Sequence, residues 1–183
     1  MPKRSRDTLT GGSGDVNPQI LTISAVQTGA DVSTIVQQPL PIPRYPTSPG
    51  KNLVMEFLWI DYYHVNPSAP AGVTATNLIT VTTNPTAFAT SLPALQDARL
   101  LDAWYKQVVS AAAPADRSFF PAENSQDLYD GAGHGLLVAT DNLYIGVYSI
   151  ASAVANQYVI KIAYRWKIVT LEEYIGIVQS QQG

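Results

Sequence analysis

Apolar and polar residues alternate along most of the chain in short runs broken by Gly, Pro, Asn and Asp, the rhythm of β-strands rather than helices. "ILTISAV" (Ile20 to Val26) sets Leu21, Ile23 and Ala25 against Thr22 and Ser24, as a half-buried strand does. "ATNLITVTT" (Ala75 to Thr83) is β-branched and bounded by Gly72 and by Asn84-Pro85. "LLVATDNLYIGVYSI" (Leu136 to Ile150) reads as one bent strand or as two strands about Asp141-Asn142. "YVIKIAYRWKIV" (Tyr158 to Val169) is the clearest strand, and a last β-rich run, "YIGIVQ", follows Glu172-Glu173. Several strands without regular helix-strand alternation predict an all-β sandwich or barrel.

Two runs depart from simple alternation. "NLVMEFLWIDYYHV" (Asn52 to Val65) is apolar on both faces, with Leu53, Met55, Phe57 and Trp59 on one side and Val54, Leu58, Ile60 and Tyr62 on the other. Either a loop or helix covers its second face, or another subunit does. "PALQDARLLDAWYKQVVSAAA" spaces Leu95, Ala98, Leu101 and Val108 at three to four residues, with Trp104 or Tyr105 between, which predicts a short helix and then a strand from about Leu100.

Residues 1–18 have almost nothing to bury and read as a flexible arm carrying Lys3, Arg4 and Arg6; residues 19–183 form the folded domain. The arm's "GGSG" is no phosphate loop, because no Lys-Ser or Lys-Thr follows it. A proline-rich loop, Gln37 to Lys51, contains "PRYP" and "PTSP", matches to a P-x-x-P form that chance also produces.

Composition narrows the functional classes. Of the 183 residues, 46% are hydrophobic and only 14% are charged, which points to surface used for contact with other protein copies. The net charge of −3 argues against a surface that grips nucleic acid everywhere, so such contact falls to local patches. The absence of cysteine excludes thiolate chemistry, disulfides and cysteine zinc sites. No run reaches the roughly 18 apolar residues of a membrane helix, and Met1 to Ser13 lacks a signal-peptide core, so the reading is a soluble protein made in the cytosol.

Chemistry-bearing residues are sparse. In "DGAGHGLLVATDN" (Asp130 to Asn142), Gly131, Gly133 and Gly135 surround His134. Glycines loosen geometry rather than fix it, so this stretch reads as a turn into a strand. Asp61 and His64 are three apart and point to opposite faces of a strand, which excludes a shared metal or a dyad. Asp97, Asp102, Asp116, Asp127 and Asp130 have no calcium or acid-base spacing, and Glu172-Glu173 reads as a solvated pair leading into a strand. No nucleophile or nucleotide motif occurs, so no catalytic residue, metal or cofactor is expected.

The strand Tyr158 to Val169 is more informative. Its even positions, Tyr158, Ile160, Ile162, Tyr164, Trp166 and Ile168, form a core face; its odd positions carry Lys161, Arg165 and Lys167 in a row. These three are either solvated edge charges or a phosphate-facing stripe that the arm's Lys3, Arg4 and Arg6 reinforce.

The stretches "MPKRSRDTLTGGSGDVNPQ", "DGAGHGLLVATDN" and "YRWKIVTLEEYIGIVQSQQG" carry a resemblance that spans essentially the full chain. The sequence resembles capsid proteins of small circular Rep-encoding single-stranded DNA (CRESS-DNA) viruses. The resemblance implies a single jelly-roll of two four-stranded antiparallel sheets, a homo-oligomeric icosahedral shell of about sixty copies (T=1), and an inward basic arm near a single-stranded genome. It also implies residence in the virion, with assembly in host cytoplasm or nucleus and an unidentified host receptor. The arm's three basic residues depart from the longer arginine-rich arms of such proteins, which weakens charge-driven packaging. On this reading, Leu58→Asp or Ile60→Asp abolishes assembly. The alternative is a β-sandwich module that binds carbohydrate or peptide through Tyr62, Tyr63 or Tyr148.

Overall fold

A computed structural model describes residues 17–41, 49–67, 69–85, 97, 99–109, 123–130 and 132–182. Lys3, Arg4, Arg6, Leu95, Ala98, Asp116 and Gly131, like residues 42–48 of the proline-rich loop, lie outside these residues. The strands are β1 (Gln19–Val26), β2 (Thr34–Pro39), β3 (Lys51–His64), β4 (Thr74–Thr82), β5 (Leu100–Val109), β6 (Glu123–Asp127), β7 (Leu136–Val138), β8 (Asn142–Ile150) and β9 (Gln157–Thr170), followed by helix α1 (Leu171–Gln182).

Pairing is nested about the β4–β5 connection: β4 with β5, β3 with β6 and β7, β2 with β8, β1 with β9, all antiparallel. The chain is thus one long hairpin, and rolling it up adds the β3–β9 and β4–β8 ladders. Two sheets result, β1-β9-β3-β6 with β7 also on β3, and β2-β8-β4-β5. This is the double Greek key of a jelly-roll. The first sheet has five strands instead of the expected four, because Leu128 to Gly135 splits one strand position into β6 and β7. Their gap falls opposite Leu58, whose carbonyl accepts a bond from the Leu128 N–H at 2.9 Å.

That same residue explains the two apolar faces of β3. Against β9 the register shifts between Phe57 and Trp59, so Leu58 is an inserted bulge residue. Before it, Met55 and Phe57 enter the core between the sheets; after it, Ile60 and Tyr62 do. A one-residue insertion turns every later side chain over. Ile23, Ile79, Ile145, Ile160 and Ile162 complete this core, each such side chain contributing roughly 1.5–3 kcal/mol by leaving water. Leu58 and Ile60 are fully buried within one chain, so Asp there would unfold the subunit rather than report on assembly.

The outward Val54 lies under α1, in a small cluster with Ala139, Val169, Tyr174, Ile177 and Val178. The expected last strand is therefore a helix. Its start is a capping box: the Glu173 carboxylate accepts from the Thr170 N–H at 2.9 Å and from its hydroxyl at 3.0 Å, while the Glu173 N–H donates to the hydroxyl at 3.3 Å. Glu172-Glu173 thus opens a helix, where acidic residues suit the macrodipole.

Candidate functional site

The glycine-rich stretch is held by a carboxylate on β3. Glu56 is fully buried on the outward side of β3, directly across from Arg165 of β9. The Arg165 Nε donates to its Oε2 in a close ion pair, Lys167 lies 3.5 Å from its Oε1, and the Gly135 N–H donates to Oε1 at 2.9 Å. Arg165 also donates to the Gly133 carbonyl at 3.1 Å. Burial pushes the Glu56 carboxyl up, but the Arg165 and Gly135 hydrogen bonds and the charges of Arg165 and Lys167 outweigh it and hold it below its ordinary value. Gly133 adopts φ +89°, and a Cβ on Gly135 would stand 2.1 Å from the Phe57 carbonyl oxygen. Both glycines therefore do backbone work.

His134 is exposed and bonded through Nδ1 to Asp130 at 3.0 Å. The other Asp130 oxygen accepts the Ala132 and His134 N–H groups, closing the turn. Among the described residues no three His, Asp or Glu side chains gather as a metal would require.

The structure divides the cationic ribbon. Arg165 and Lys167 converge on Glu56, whereas Lys161 stands across from Asp61 with its Nζ 5.0 Å from the centre of the Tyr63 ring. Lys161 has no ion pair among the described residues. Three cations thus share their sheet face with two carboxylates. Tyr62 is fully buried and donates to Asp102 at 2.7 Å. It cannot be an exposed ligand contact. Tyr63 and Tyr148 alternate with core residues on different sheets, so they face opposite sides of the sandwich and cannot share one small ligand.

A polar lattice at one end of the sandwich escaped sequence reasoning. Gln27 Oε1 accepts from the Asn156 N–H at 2.9 Å and its Nδ2 at 2.8 Å, and Gln27 Nε2 donates to the Val32 carbonyl at 2.9 Å. Asp31, at φ +57°, accepts from the Ala151 N–H at 3.0 Å and the Ser152 N–H at 2.9 Å. These bonds lock the β1–β2 connection to the β8–β9 connection. Each residue type is an ordinary loop former, and only the register brings them together.

His64 is buried beside this lattice, stacked on Tyr158 at 4.3 Å, with Nε2 bonded to Asn156 Oδ1 at 2.8 Å. Burial, opposed by the Asn156 bond and aided by the Lys106 charge, lowers its pKa from 6.5 to about 4. The folded state therefore binds this proton less readily than the unfolded chain. Stability is complete above pH 6.5 and falls as pH drops from 6.5 through 4, by up to about 3 kcal/mol. Urea midpoints followed across that range should show the decline, and His64→Gln should flatten it.

No protein-family model matches the chain, and no curated protein matches it by sequence. Solved structures do match in fold. The VP1 protein of Trichodysplasia spinulosa-associated polyomavirus, in complex with sialylated glycooligomers, aligns at TM-score 0.55 and 10% identity over 82% of this chain and 95% of that one. Merkel cell polyomavirus VP1 with 3'-sialyllactosamine aligns at 0.54 and 10% identity over 89% and 99%. The same virus's VP1 as an unassembled pentamer aligns at 0.52 and 9% identity, again over 89% and 99%. The shared feature is the jelly-roll itself.

Proposed function

We propose that the chain is a viral coat protein, a jelly-roll subunit that associates with copies of itself into a closed shell around nucleic acid. The observation that carries this reading is the match of its jelly-roll fold to VP1 capsid chains, over 82–89% of this chain and 95–99% of theirs. On this reading the subunit's work is structural. The single-stranded DNA genome, the T=1 shell of about sixty copies and residence in the virion rest on the sequence resemblance.

Exposed apolar residues supply the adhesive surface this role needs. Leu171 and Ile175, one turn apart on α1, are 49% and 46% exposed at the β9–α1 junction, beside the helix face that packs on Val54. Burial between copies would remove that surface from water. Ile175→Glu is expected to leave the subunit folded, by an unchanged melting curve, while reducing its assembled fraction at least tenfold on size-exclusion chromatography. Assembly as in the wild type would remove the junction from the interface.

For nucleic acid we propose the arm's Lys3, Arg4 and Arg6 as the main contacts and Lys161 as their partner on the ribbon. Arg165 and Lys167 contribute less, because Glu56 already holds them. Replacing Lys3, Arg4 and Arg6 together by Ala should preserve particles but lower their 260/280 nm absorbance ratio. An unchanged ratio would remove the arm from this role. The glycan complexes of the VP1 chains favour a second property of the same shell, recognition of a surface carbohydrate. A ligand-binding module acting alone is the competing reading.

A further inference from the structure

Among the described residues, four buried side-chain atoms between the sheets have no hydrogen-bond partner: Nδ1 of His64, Nδ2 and Oδ1 of Asn77, and Nζ of Lys106. Their residues are 2%, 0% and 6% exposed. Such orphans are rare in folded proteins, because each gives up its hydration with nothing in return. Here they fall in one region. Asn77 and Lys106 are direct register partners on β4 and β5, so their side chains stand next to each other on the inward face. Lys106 Nζ is 5.4 Å from the centre of the Trp104 ring, which meets Tyr158 edge-on at 6.3 Å. Tyr158 in turn stacks on His64, and the Lys106 charge acts on that imidazole.

The polarity of the cluster is readable. Asn156 donates through Nδ2 to Gln27 and to Ser152 Oγ, so its Oδ1 accepts a hydrogen bond from the His64 Nε2–H. In the neutral ring, Nδ1 is then a bare acceptor. The nearest inward carboxylate on β5, Asp102, is four positions from Lys106 and is engaged by Tyr62. The region therefore offers an ammonium without a counter-charge, an amide with both a donor and an acceptor, and an acceptor nitrogen.

We propose that Lys106, Asn77 and His64 bind a small oxyanion that carries its own proton, of the hydrogenphosphate or bicarbonate class. Its charged oxygens accept from Lys106 Nζ and Asn77 Nδ2, while its hydroxyl donates to His64 Nδ1. Chloride, and sulfate at neutral pH, lack that donor and would leave Nδ1 unpaired. The bound ion ties β3, β4 and β5 together beside the polar lattice. Nothing in this assignment depends on the coat-protein role.

The test is thermal melting of the full chain at pH 7 and fixed ionic strength, in inorganic phosphate, bicarbonate, sulfate or chloride. Phosphate or bicarbonate should raise Tm saturably, by roughly 5–10 °C at about a hundred times Kd, and the one that acts identifies the source of the oxyanion. Sulfate gives the non-specific salt effect. Lys106→Met, which fills the same space without charge, should abolish the specific rise. Equal melting in phosphate, bicarbonate and sulfate would overturn the proposal with the wild-type protein alone. A specific rise that survives in Lys106→Met would overturn it as well.

Discussion

Arg165→Met is expected to lose about 3–5 kcal/mol of folding stability, the largest effect of any single charge removal here. Glu56 is wholly buried, and Arg165 supplies both its closest hydrogen bond and its strongest neighbouring charge. Without that partner, the carboxylate keeps only the Gly135 N–H and a more distant Lys167 at 3.5 Å. The consequence extends to pH. In the wild type the folded carboxyl lies below its ordinary 4.5, so its contribution is present above pH 4.5 and is lost as pH falls through the lower folded value. In Arg165→Met burial raises the folded value, so the Glu56 share of the acid loss shrinks, and once that value passes 4.5 acidification stabilises the variant instead. Adding Glu56→Gln should recover part of the stability, since the buried charge is then gone. Urea denaturation of the wild type and the two variants measures this, and a loss below about 1 kcal/mol for Arg165→Met would show that solvent, not Arg165, sustains Glu56.

Gly135→Ala is expected to cost about 3 kcal/mol or more, through overlap rather than lost contact. Its Cβ would meet the Phe57 carbonyl oxygen at 2.1 Å and the Phe57 carbonyl carbon at 3.0 Å. Those are backbone atoms of β3, which is hydrogen-bonded to β9 on one side and to β6 and β7 on the other. Neither strand can retreat without breaking a ladder or the Gly135 bond to Glu56. Gly176→Ala is the contrasting control, because nothing lies within 4 Å of its Cβ position in α1. There the gain in helix propensity should stabilise by roughly 0.5–1 kcal/mol. Equal melting of the two variants would contradict the close approach that this account gives "DGAGHG".

The strands were legible wherever one face of a strand is buried, because alternation then writes burial directly into residue type. β1, β4 and β9 fall where the alternation places them, and β5 begins at Leu100 as the pattern of "LLDAWYKQVV" indicated. β3 was legible as a strand but not in its facing, since the Leu58 bulge moves the core from odd to even positions. Helix α1 was misread because Tyr174, Ile175, Ile177 and Val178 favour strands. The capping signal Thr170-x-x-Glu173 was present just ahead of them.

The Glu56 site had one visible trace, an acid set in the apolar stretch Leu53 to Ile60 of β3, with three cations on β9. Pairing them needed the β3–β9 register. His64, Asn77 and Lys106 left no trace, because each sits on a different strand and burial alone makes them unusual.

The mass of the purified full-length protein, by light scattering with its 260/280 nm absorbance ratio, tests the central claim most directly. The coat-protein account predicts particles of uniform diameter in the megadalton range, near sixty copies of the 19.7 kDa chain. A species of one to four chains that stays small across salt and pH would contradict it, and would leave the likeness to VP1 as one of fold alone.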